Sequence, residues 1–541
     1  MQSTMMQVPL NLSHFLDRAG KLFGGQEIVS RMPDKSLHRY TYADFYRRAR
    51  LLAEALTRAG LKPGDRVATL MWNHYAHYET YFGAIVCGGV LHTLNLRLAP
   101  EDIAYIANHA GDRFLIIDDV LLPLLEQFRD KVNFERIIVV PLTGEPVAQD
   151  FDDYEEFLKT ASGDFEYPEL DENAPCAMCY TSGTTGRPKG VVYSHRSQVL
   201  HSLVQAMPDA IGISGHDVML PVVPMFHANA WGVPYTAAML GVKMVFPGPH
   251  LHPDDLLPLL QSEKVTLSSG VPTIWLAMAQ VIADNPGKWK LQPGLRLTVG
   301  GSAVPEAMIR EYAGYGVEVM QGWGMTETSP LATVSKPVAL HGDLDDDARF
   351  KVRTMQGYPI PLVDMRAVGD DGEVPWDGET VGEMQAHGPW ISGSYFGVPV
   401  SDENFSVDGW LRTGDVASID EFGFMKISDR TKDLIKSGGE WISSVDLENA
   451  IMGHPAVQEA AVIAIPHPKW AERPLAVIVL KPGEKVTGAD IKTHLGKNFV
   501  KWMVPDAYEF VESIPRTSTG KFLKTALREQ YRDWKWADAA A

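Results

Sequence analysis

The sequence predicts an α/β protein with a large N-terminal domain of layered α/β sheets, a β-rich subdomain and a small α+β C-terminal domain. Short β-rich apolar runs, such as residues 67–71 and 114–117, are separated by segments long enough for crossover helices. This alternation is typical of parallel strands covered by helices. Strand-like clusters become denser after about residue 350, where Gly and Pro punctuate the chain. At 541 residues and 45% hydrophobic content, core size does not limit this interpretation.

The first hundred residues show how individual elements are predicted. A helix is expected to begin after Thr41, because apolar residues recur at helical spacing from Phe45 to Leu56 and Gly60 ends the pattern. The Pro-Gly-Asp turn at residues 63–65 then leads into the strand at 67–71. Further strands are predicted at residues 90–94, 114–117, 137–140, 244–246 and 297–299.

A domain boundary is predicted near Asp429. The charged residues 429–433 interrupt a strand pattern and precede the flexible Ser-Gly-Gly at 437–439. The chain is therefore divided into an N-terminal domain, residues 1–428, and a C-terminal domain, residues 429–541. Two domains that meet at a polar hinge form a cleft, which is a preferred place for ligands.

The charge balance argues against one class of partner. The chain carries 49 Lys+Arg against 68 Asp+Glu, a formal net charge of −19, and no stretch is rich in Lys and Arg. Because nucleic-acid binding needs a basic face, no nucleic-acid partner is expected. A polyanionic small molecule still fits, provided that positive groups are concentrated locally.

The cysteine content and the lack of targeting signals favour a cytoplasmic location. Cys87, Cys176 and Cys179 cannot build a secreted disulfide framework, so a reducing compartment is expected. The spacing of Cys176 and Cys179 also fits redox chemistry or half of a zinc site, but two small buried strand residues explain it better. No signal peptide is expected. No transmembrane segment is expected either, because the charge-free residues 218–242 contain Pro, His and Asn and are interpreted as buried loop and strand.

The strongest motif is the Gly- and Thr-rich loop YTSGTTGRPKG at residues 180–190. Its glycines permit tight turns, while Ser182, Thr184 and Thr185 offer hydroxyls and Lys189 offers a positive charge, a combination suited to phosphate oxygens. It is not a Walker A loop, because its glycines are too close together and its Lys precedes Gly rather than Ser or Thr. A plain surface hairpin is the alternative, and the specificity of the whole run argues against it.

Further motifs follow in order: PMFH at 224–227, QGWGMTE at 321–327, LRTGD at 411–415, DRTKDLIKSGGEW at 429–441 and PRTSTGK at 515–521. With these motifs the chain resembles the adenylate-forming superfamily over essentially its whole length, and specifically acyl-CoA synthetases that activate fatty acids. The resemblance implies an acyl-CoA synthetase-like fold whose C-terminal domain is mobile. It also implies a reaction in which an organic acid and ATP form an acyl-adenylate, from which the thiol of coenzyme A displaces AMP.

The resemblance implies that placed cations make this reaction possible. Lys521 is expected to bridge the carboxylate and the α-phosphate, Lys189 to hold the outgoing phosphates, and Glu327 to bind Mg²⁺ together with Thr181. His227 is expected to donate to the developing negative charge. The catalytic residues implied are therefore Lys521, His227 and Glu327.

The resemblance also implies how the nucleotide and coenzyme A are bound. Asp415 is expected to accept the two ribose hydroxyls, with Arg430 nearby as a further donor, and Trp323 to stack on or flank the adenine. The other residues expected to bind ATP or coenzyme A are Thr181, Ser182, Gly183, Thr184, Thr185, Gly301, Ser302, Gln321, Gly322, Thr326, Lys432, Lys436, Gly438, Gly439 and Trp441.

The acyl group is expected to lie in an apolar tunnel. Trp231 resembles a residue that gates this tunnel in fatty-acid-activating relatives, and Gly270 and Val271 would line the opposite wall. Because each buried methylene contributes only about 0.8 kcal/mol, a range of medium to long chains is expected to fit. A homodimer is what the resembled enzymes suggest.

Several alternatives stay open at this stage. The same two steps on a short thioether acid such as methylthiopropionate fit the motifs equally well, and an aryl acid fits them less well. A ligase that delivers its acyl group to a carrier protein would share the adenylation residues. A luciferase-like oxygenase has no support in the sequence, and a nucleotide-binding regulator without turnover is disfavoured because Lys521, His227 and Glu327 are all present.

Overall fold

The computed structural model describes residues 3–181, 187–401, 403–438, 440–517 and 520–536. Within these ranges the strands form four sheets, three in the first 430 residues and one in the C-terminal part. This is the layered α/β arrangement with a smaller C-terminal unit that the sequence predicts. Among the described residues, no helix is both long and apolar enough to cross a lipid bilayer.

The strands are numbered in chain order: β1 (Glu27–Arg31), β2 (Leu37–Thr41), β3 (Arg66–Leu70), β4 (Val90–Thr93), β5 (Asp112–Asp118), β6 (Arg136–Val140), β7 (Asp152–Asp153), β8 (Pro175–Tyr180), β9 (Gly190–Ser194), β10 (Val218–Pro221), β11 (Lys243–Phe246), β12 (Leu267–Gly270), β13 (Arg296–Val299), β14 (Glu318–Gly324), β15 (Leu331–Val334), β16 (Tyr358–Pro359), β17 (Asp364–Gly369), β18 (Gly372–Glu373), β19 (Gly382–His387), β20 (Leu411–Ile419), β21 (Met425–Arg430), β22 (Ile435–Ser437), β23 (Glu440–Ile442), β24 (Val457–His467), β25 (Ala471–Leu480) and β26 (Ala507–Phe510).

The helices are numbered in the same way: α1 (Ser13–Leu22), α2 (Tyr42–Arg58), α3 (Tyr75–Val86), α4 (Pro100–Ala110), α5 (Leu122–Leu125), α6 (Tyr154–Lys159), α7 (His195–Gln205), α8 (Ala228–Trp231), α9 (Val233–Leu240), α10 (Pro253–Ser262), α11 (Pro272–Asp284), α12 (Glu306–Gly314), α13 (Asp346–Thr354), α14 (Ser444–Met452), α15 (Gly488–Leu495) and α16 (Lys524–Gln530).

Two large sheets form the body of the molecule. One has the order β16-β15-β14-β13-β12-β10-β11-β1-β2 and the other the order β7-β6-β5-β3-β4-β8-β9. Most neighbours in both sheets are parallel, with antiparallel pairs at their edges. Buried residues of both sheets join those of α2, α3, α7 and α9 in one continuous core. The carboxyl ends of β10, β12 and β13 therefore open toward a common edge, where ligands of parallel sheets bind.

The predicted β-rich subdomain is the sheet β18-β17-β19-β20-β21, which is antiparallel between neighbours. Strand β21 ends at Arg430, and the last sheet, β23-β22-β25-β24 with β26 beside β25, follows it. This sheet has its own buried cores with α14, α15 and α16. Asp429 therefore lies at the end of the last strand before the C-terminal unit.

The local predictions in the first part of the chain are confirmed. The Thr41 side chain accepts a hydrogen bond from the amide of Asp44, and the Asp44 side chain bonds back to the Thr41 amide, so a capping box starts α2. The predicted strands correspond to β3, β4, β5, β6, β11 and β13. The charge-free residues 218–242 contain more helix than expected, because Pro234 lies in the first turn of α9, where its missing amide is not needed.

Candidate active site

One cavity collects twelve of the twenty predicted site residues that the structure describes. It has a volume of about 550 Å³ and lies where the two large sheets, the β-rich sheet and the C-terminal unit meet. The predicted residues that line it are Thr181, Lys189, His227, Trp231, Gly301, Gly322, Trp323, Thr326, Glu327, Arg430, Lys432 and Lys521. Residues almost 350 positions apart in sequence thus face one space.

The base of the Gly- and Thr-rich loop is fixed by the β8–β9 hairpin. The amide of Thr181 donates to the carbonyl of Lys189 over 2.9 Å, and the amide of Lys189 donates to the Thr181 hydroxyl over 3.1 Å. Four of the predicted phosphate-binding residues, Ser182, Gly183, Thr184 and Thr185, lie outside the described residues. The structure thus places the two ends of the loop, and both ends line the cavity.

The Lys189 side chain is held at the cavity wall by two residues of the segment between β19 and β20. Its ammonium donates to the amide oxygen of Asn404 over 3.0 Å and lies 4.7 Å from the centroid of the Tyr395 ring. A cation over an aromatic face is stabilised without being neutralised. Neither contact is with a carboxylate, so the Lys189 side chain can also contact an anion in the cavity.

Glu327 lies on the same wall in a short 3₁₀ turn (Thr326–Thr328) and is 6% exposed. Its Oε1 accepts a hydrogen bond from the Tyr395 hydroxyl over 2.6 Å. Within the described residues, no group of three or more His, Cys, Asp or Glu side chains is arranged to hold a metal. A lone carboxylate fits Mg²⁺, which binds to one or two carboxylates and takes its remaining ligands from phosphates and water.

Asp415 is buried, and its carboxylate contacts two other side chains of the site, those of Trp323 and Arg430. Its Oδ2 accepts from the indole nitrogen of Trp323 over 2.9 Å, and its Oδ1 lies 3.1 Å from Nε of Arg430. Strands β20 and β21 pair Asp415 directly with Arg430, which brings the two side chains together. A carboxylate has about four acceptor positions, so Asp415 keeps capacity for further donors. The contact between Trp323 and Asp415 was not predicted.

Lys521 reaches the cavity from the C-terminal unit. Its Cε lies 3.6 Å from the position that a Cβ on Gly301 would occupy, and Gly301 has a φ of +89°. A side chain at residue 301 would therefore be strained and would crowd the lysine. Within the described residues, no hydrogen bond or ion pair holds the Lys521 ammonium. Burial, followed by the charge of Arg430, lowers the pKa of Lys521 to about 8.

His227 lies across the same cavity, after β10. Burial, followed by the charges of Lys521 and Arg97, lowers the pKa of His227 to about 3. The imidazole is therefore neutral at pH 7, with one nitrogen available as a donor and the other as an acceptor. Burial, reinforced by the charges of Lys521 and Arg97, thus keeps His227 uncharged.

Part of the cavity lining is apolar. Five of these residues come from four separate segments and belong to none of the motifs: Ile211, Ile213, Met219, Val233 and Leu267. Trp231 also lines the cavity, and its ring lies 3.5 Å from the position that a Cβ on Gly300 would occupy. The cavity therefore combines a charged part with an apolar arm, which is the part of the lining formed by these aliphatic residues.

The turn that carries Trp231 has an unusual backbone. Ala228, Asn229, Ala230 and Trp231 have φ values of 43°, 50°, 49° and 58°, so α8 is a single left-handed turn. Each such residue costs about 1–2 kcal/mol relative to the right-handed form. The turn is held in place because the Gln205 amide donates to the carbonyl of Trp231 over 2.7 Å.

A second cavity, of about 210 Å³, adjoins the first on the side of the C-terminal unit. It brings in Ser302, Gln321 and Asp415, which the sequence predicted for the nucleotide. Gly270 and Val271 are not among the residues that line either cavity. A Cβ on Gly270 would touch the Trp275 ring at 3.0 Å, whereas Val271 packs against Gly301 and Gly520.

Of the residues predicted for coenzyme A, Lys432 lines both cavities, whereas Lys436, Gly438 and Trp441 line neither. Lys436 and Trp441 are on β22 and β23, where the Lys436 ammonium lies 5.2 Å from the Trp441 ring, and Gly438 lies in the turn between them. Gly439 lies outside the described residues. Tyr395, Asn404 and Gln205 contribute to the site and were not predicted, because no motif of the sequence includes them.

Comparisons with known proteins agree with this geometry. A family model for AMP-binding enzymes matches residues 16–396, and a model for the C-terminal domain of AMP-binding enzymes matches residues 446–521. A long-chain-fatty-acid–CoA ligase of Thermus thermophilus is 51% identical over 98% of this chain and 97% of its own. A 3-methylmercaptopropionyl-CoA ligase of Ruegeria pomeroyi is 46% identical over 98% of this chain and 99% of its own.

The fold has solved relatives as well. The anthranilate CoA ligase AuaEII, solved in complex with anthranoyl-AMP, superposes with a TM-score of 0.85 at 25% identity and covers 98% of this chain and 99% of that chain. The predicted acyl-CoA synthetase-like fold is thereby confirmed. The chain belongs to the AMP-binding enzyme family, as its ordered motifs predicted.

Proposed function

We propose that this protein is an ATP-dependent acid–thiol ligase that converts a medium- or long-chain fatty acid into its acyl-CoA. One observation carries the proposal: Lys189, Glu327, Arg430 and Lys521 face a single cavity that continues into an apolar arm. The charged part has the groups needed for a triphosphate and a carboxylate, and the apolar part suits a hydrocarbon chain.

The first step joins two anions. A carboxylate oxygen of the acid attacks the α-phosphorus of ATP, the bond from that phosphorus to the β-phosphate oxygen breaks, and acyl-adenylate and diphosphate are formed. Two unit charges 4 Å apart near a protein surface repel each other by about 4 kcal/mol. The ammonium groups of Lys521 and Lys189 offset this repulsion because they are fixed before the substrates meet.

Lys521 is proposed as the cation between the carboxylate and the α-phosphate, and Lys189 as the cation on the departing phosphates. The lowered pKa of Lys521 supports this role, since it shows that the ammonium lies in a desolvated place where charge acts strongly. Glu327, with the Thr181 hydroxyl, would hold Mg²⁺. When bound, the ion would neutralise part of the phosphate charge.

His227 is proposed as a neutral hydrogen-bond donor to the acid during the first step. A neutral imidazole can donate without taking a proton, which suits a reaction in which charge moves between oxygens but no proton is transferred. Asp415 is proposed to bind the ribose hydroxyls, with its carboxylate oriented by Trp323 and Arg430.

The second step requires a different arrangement. The sulfur of coenzyme A attacks the acyl carbon of the adenylate, the bond from that carbon to the phosphate oxygen breaks, and acyl-CoA, AMP and the thiol proton are released. We propose that the C-terminal domain, residues 429–541, turns about Asp429 between the steps. Lys432, Lys436, Gly438, Gly439 and Trp441 are then proposed to face coenzyme A.

The substrate class is proposed from the apolar arm. The arm is lined by aliphatic side chains, among them Ile211 and Leu267. This hydrocarbon surface supports a fatty acid as the substrate. The Thermus relative is named for long-chain fatty acids and the Ruegeria relative for a short thioether acid. The short thioether acid is therefore the second candidate, and delivery to a carrier protein is the alternative for the acceptor.

Two further features are proposed. Cys87, Cys176 and Cys179 are free and buried, which supports a reducing, cytoplasmic location. A homodimer is proposed, and light scattering coupled to size-exclusion chromatography would test it.

The experiment that tests the proposed function is a panel of acids with ATP, Mg²⁺ and coenzyme A. Straight-chain acids from acetate to palmitate, methylthiopropionate and aryl acids are compared by AMP release. The proposal expects AMP and acyl-CoA in equal amounts, with the highest kcat/KM for medium or long chains. AMP release from methylthiopropionate alone would favour the second candidate, and no AMP release from any acid would contradict the proposal.

A further inference from the structure

The loop that carries Lys521 is a tight hairpin with a rigid base. Residues 515–517 and 520–523 form its two arms, with Arg516 and Phe522 paired as an antiparallel bridge. A 2.8 Å hydrogen bond from the amide of Leu523 to the carbonyl of Pro515 closes the base, and α16 begins at the next residue. The position of Lys521 in the cavity therefore depends on what holds the base of this hairpin.

Lys524, the first residue of α16, is that anchor. Its ammonium lies 2.7 Å from Oε1 of Glu448 and donates to the Ser444 hydroxyl over 2.5 Å. Both charged side chains are largely buried, at 12% and 10% exposed. Burial lowers the pKa of Lys524, but the charges of Glu448 and Asp429 outweigh burial and raise it, so the side chain stays an ammonium.

The same cluster touches the hinge. The Oδ2 of Asp429 accepts from the amide of Ser444 over 2.9 Å, and its Oδ1 accepts from the amide of Arg430 over 2.9 Å. Asp429 is 2% exposed. Ser444 therefore contacts Asp429 through its amide and Lys524 through its hydroxyl, and the charges of Glu448 and Asp429 both act on the Lys524 ammonium.

The other ion pairs near the hairpin do not contact Asp429. Arg516 is paired with Glu459 of β24 over 2.6 Å, which fixes the hairpin only within the C-terminal unit. At the end of α16, Glu529 pairs with Arg532, which follows the helix, and both side chains are 68% exposed. An exposed pair of this kind contributes little to stability, which makes Arg532 a suitable control.

We propose that Lys524 is a positioning residue that ties the Lys521 hairpin to the hinge at Asp429, and thereby favours the arrangement in which Lys521 lies in the cavity. This inference rests on the proposed function of Lys521 in the first step. When the C-terminal domain turns, the contact between Asp429 and the Lys524 cluster is among those that must be rearranged. Lys524 itself does not touch the substrates.

The test compares Lys524→Met, Lys524→Arg and the double variant Lys524→Met/Glu448→Gln with Arg532→Met as the matched control. The double variant avoids leaving a buried carboxylate without its cation, which would destabilise the C-terminal unit. Single-turnover diphosphate release measures the first step, and acyl-CoA formation from supplied acyl-adenylate measures the second. Hydrogen exchange of peptides covering residues 425–437 and 515–523 reports on the anchor without any turnover.

Both Met variants are expected to lose about 100-fold in the first step, since a misplacement of about 1 Å has that effect. The rate of acyl transfer in the Met variants is expected to stay within a small factor of the wild-type rate. Lys524→Arg is expected to recover most of the rate of the first step. Hydrogen exchange is expected to accelerate in both peptides of the Met variants. An equal fall of both steps in the double variant, or no fall in either, would overturn the inference. If the wild-type chain released no diphosphate with any acid, the proposed function would fail. In that case hydrogen exchange alone would test the role of Lys524. Unchanged exchange of both peptides in the Met variants would overturn the inference.

Discussion

The charged and apolar parts of the main cavity differ in how the chain builds them. Lys189, Glu327, Arg430 and Lys521 each belong to a compact sequence motif at the end of a strand or in a tight loop. The apolar arm is instead built by single residues of β10, α9, β12 and the segment around Ile213, which no motif joins. The charged residues that the chemistry requires are therefore concentrated in short segments of the sequence. The residues that shape the acyl-binding volume are instead distributed along the chain.

The difference also concerns how strongly each side chain acts. A charge in a desolvated chamber changes the free energy of the transition state by several kcal/mol. A methyl group in the arm contributes through apolar area, about 25 cal/mol per Å² buried. Changes in the charged part should therefore alter whether the reaction occurs, and changes in the apolar arm should alter which acid is preferred.

The largest effect is expected for Lys521→Ala. Removal of a fixed donor or cation from the developing charge costs about 10²–10³-fold in rate, so diphosphate release in a single turnover should fall at least that far. Acyl-CoA formation from supplied acyl-adenylate should be largely retained. Lys492→Ala, which changes an exposed lysine of α15, is the control. An equal loss in both steps would contradict the role of Lys521 in the first.

The next largest effect is expected for Asp415→Ala. Hydrogen bonds to charged groups contribute about 1.5–3 kcal/mol, so KM for ATP should rise about 10- to 100-fold while the preference among acids is unchanged. Asp408→Ala, which breaks the exposed pair with Arg366, serves as the control. A changed acid preference without a change in KM for ATP would show that Asp415 does not bind the nucleotide.

The pH dependence of the first step should follow Lys521. Its pKa of about 8 lies below the ordinary value of 10.5, so the required ammonium is lost as pH rises through about 8. The kcat/KM for diphosphate release should fall about tenfold per pH unit above that point, because it reports on the free enzyme. A descending limb near pH 10.5, or an inflection near pH 6.5 from His227, would contradict the assigned environments.

The smallest effect is expected in the apolar arm, for Ile213→Phe. A ring in place of the aliphatic side chain shortens the arm, and each methylene that no longer fits costs about 0.8 kcal/mol, or roughly fourfold. The ratio of kcat/KM for a long acid over a short acid should fall, while KM for ATP stays constant. Val407→Phe, at a residue that is 96% exposed, should leave this ratio unchanged.

The comparison also explains which parts of the structure were predictable. Helix α2 was predicted because its cap, periodicity and terminal Gly all lie within twenty residues, and the parallel strands were predicted because each is a short apolar run. The residues of the charged chamber were predicted because motifs identify them individually. Tyr395 and Asn404, which orient Glu327 and Lys189, were missed because the contacts are formed only by tertiary packing.

The left-handed turn of residues 228–231 could not be predicted from its sequence. Ala and Trp carry no local signal for positive φ, and only Asn229 and the following Gly232 favour it. The conformation depends on the hydrogen bond from Gln205, a residue 26 positions away. The apolar arm was likewise unpredictable in detail, because helices and strands supply its residues at unrelated spacings.

The central claim, that the carboxylate of an acid attacks the α-phosphorus of ATP, can be tested by isotope transfer. The protein is incubated with a fatty acid whose carboxylate carries oxygen-18, together with ATP, Mg²⁺ and coenzyme A, and the nucleotide and phosphate products are analysed by mass spectrometry. The account predicts that one labelled oxygen per turnover appears in the phosphate of AMP. Label in inorganic phosphate, accompanied by ADP instead of AMP, would contradict it.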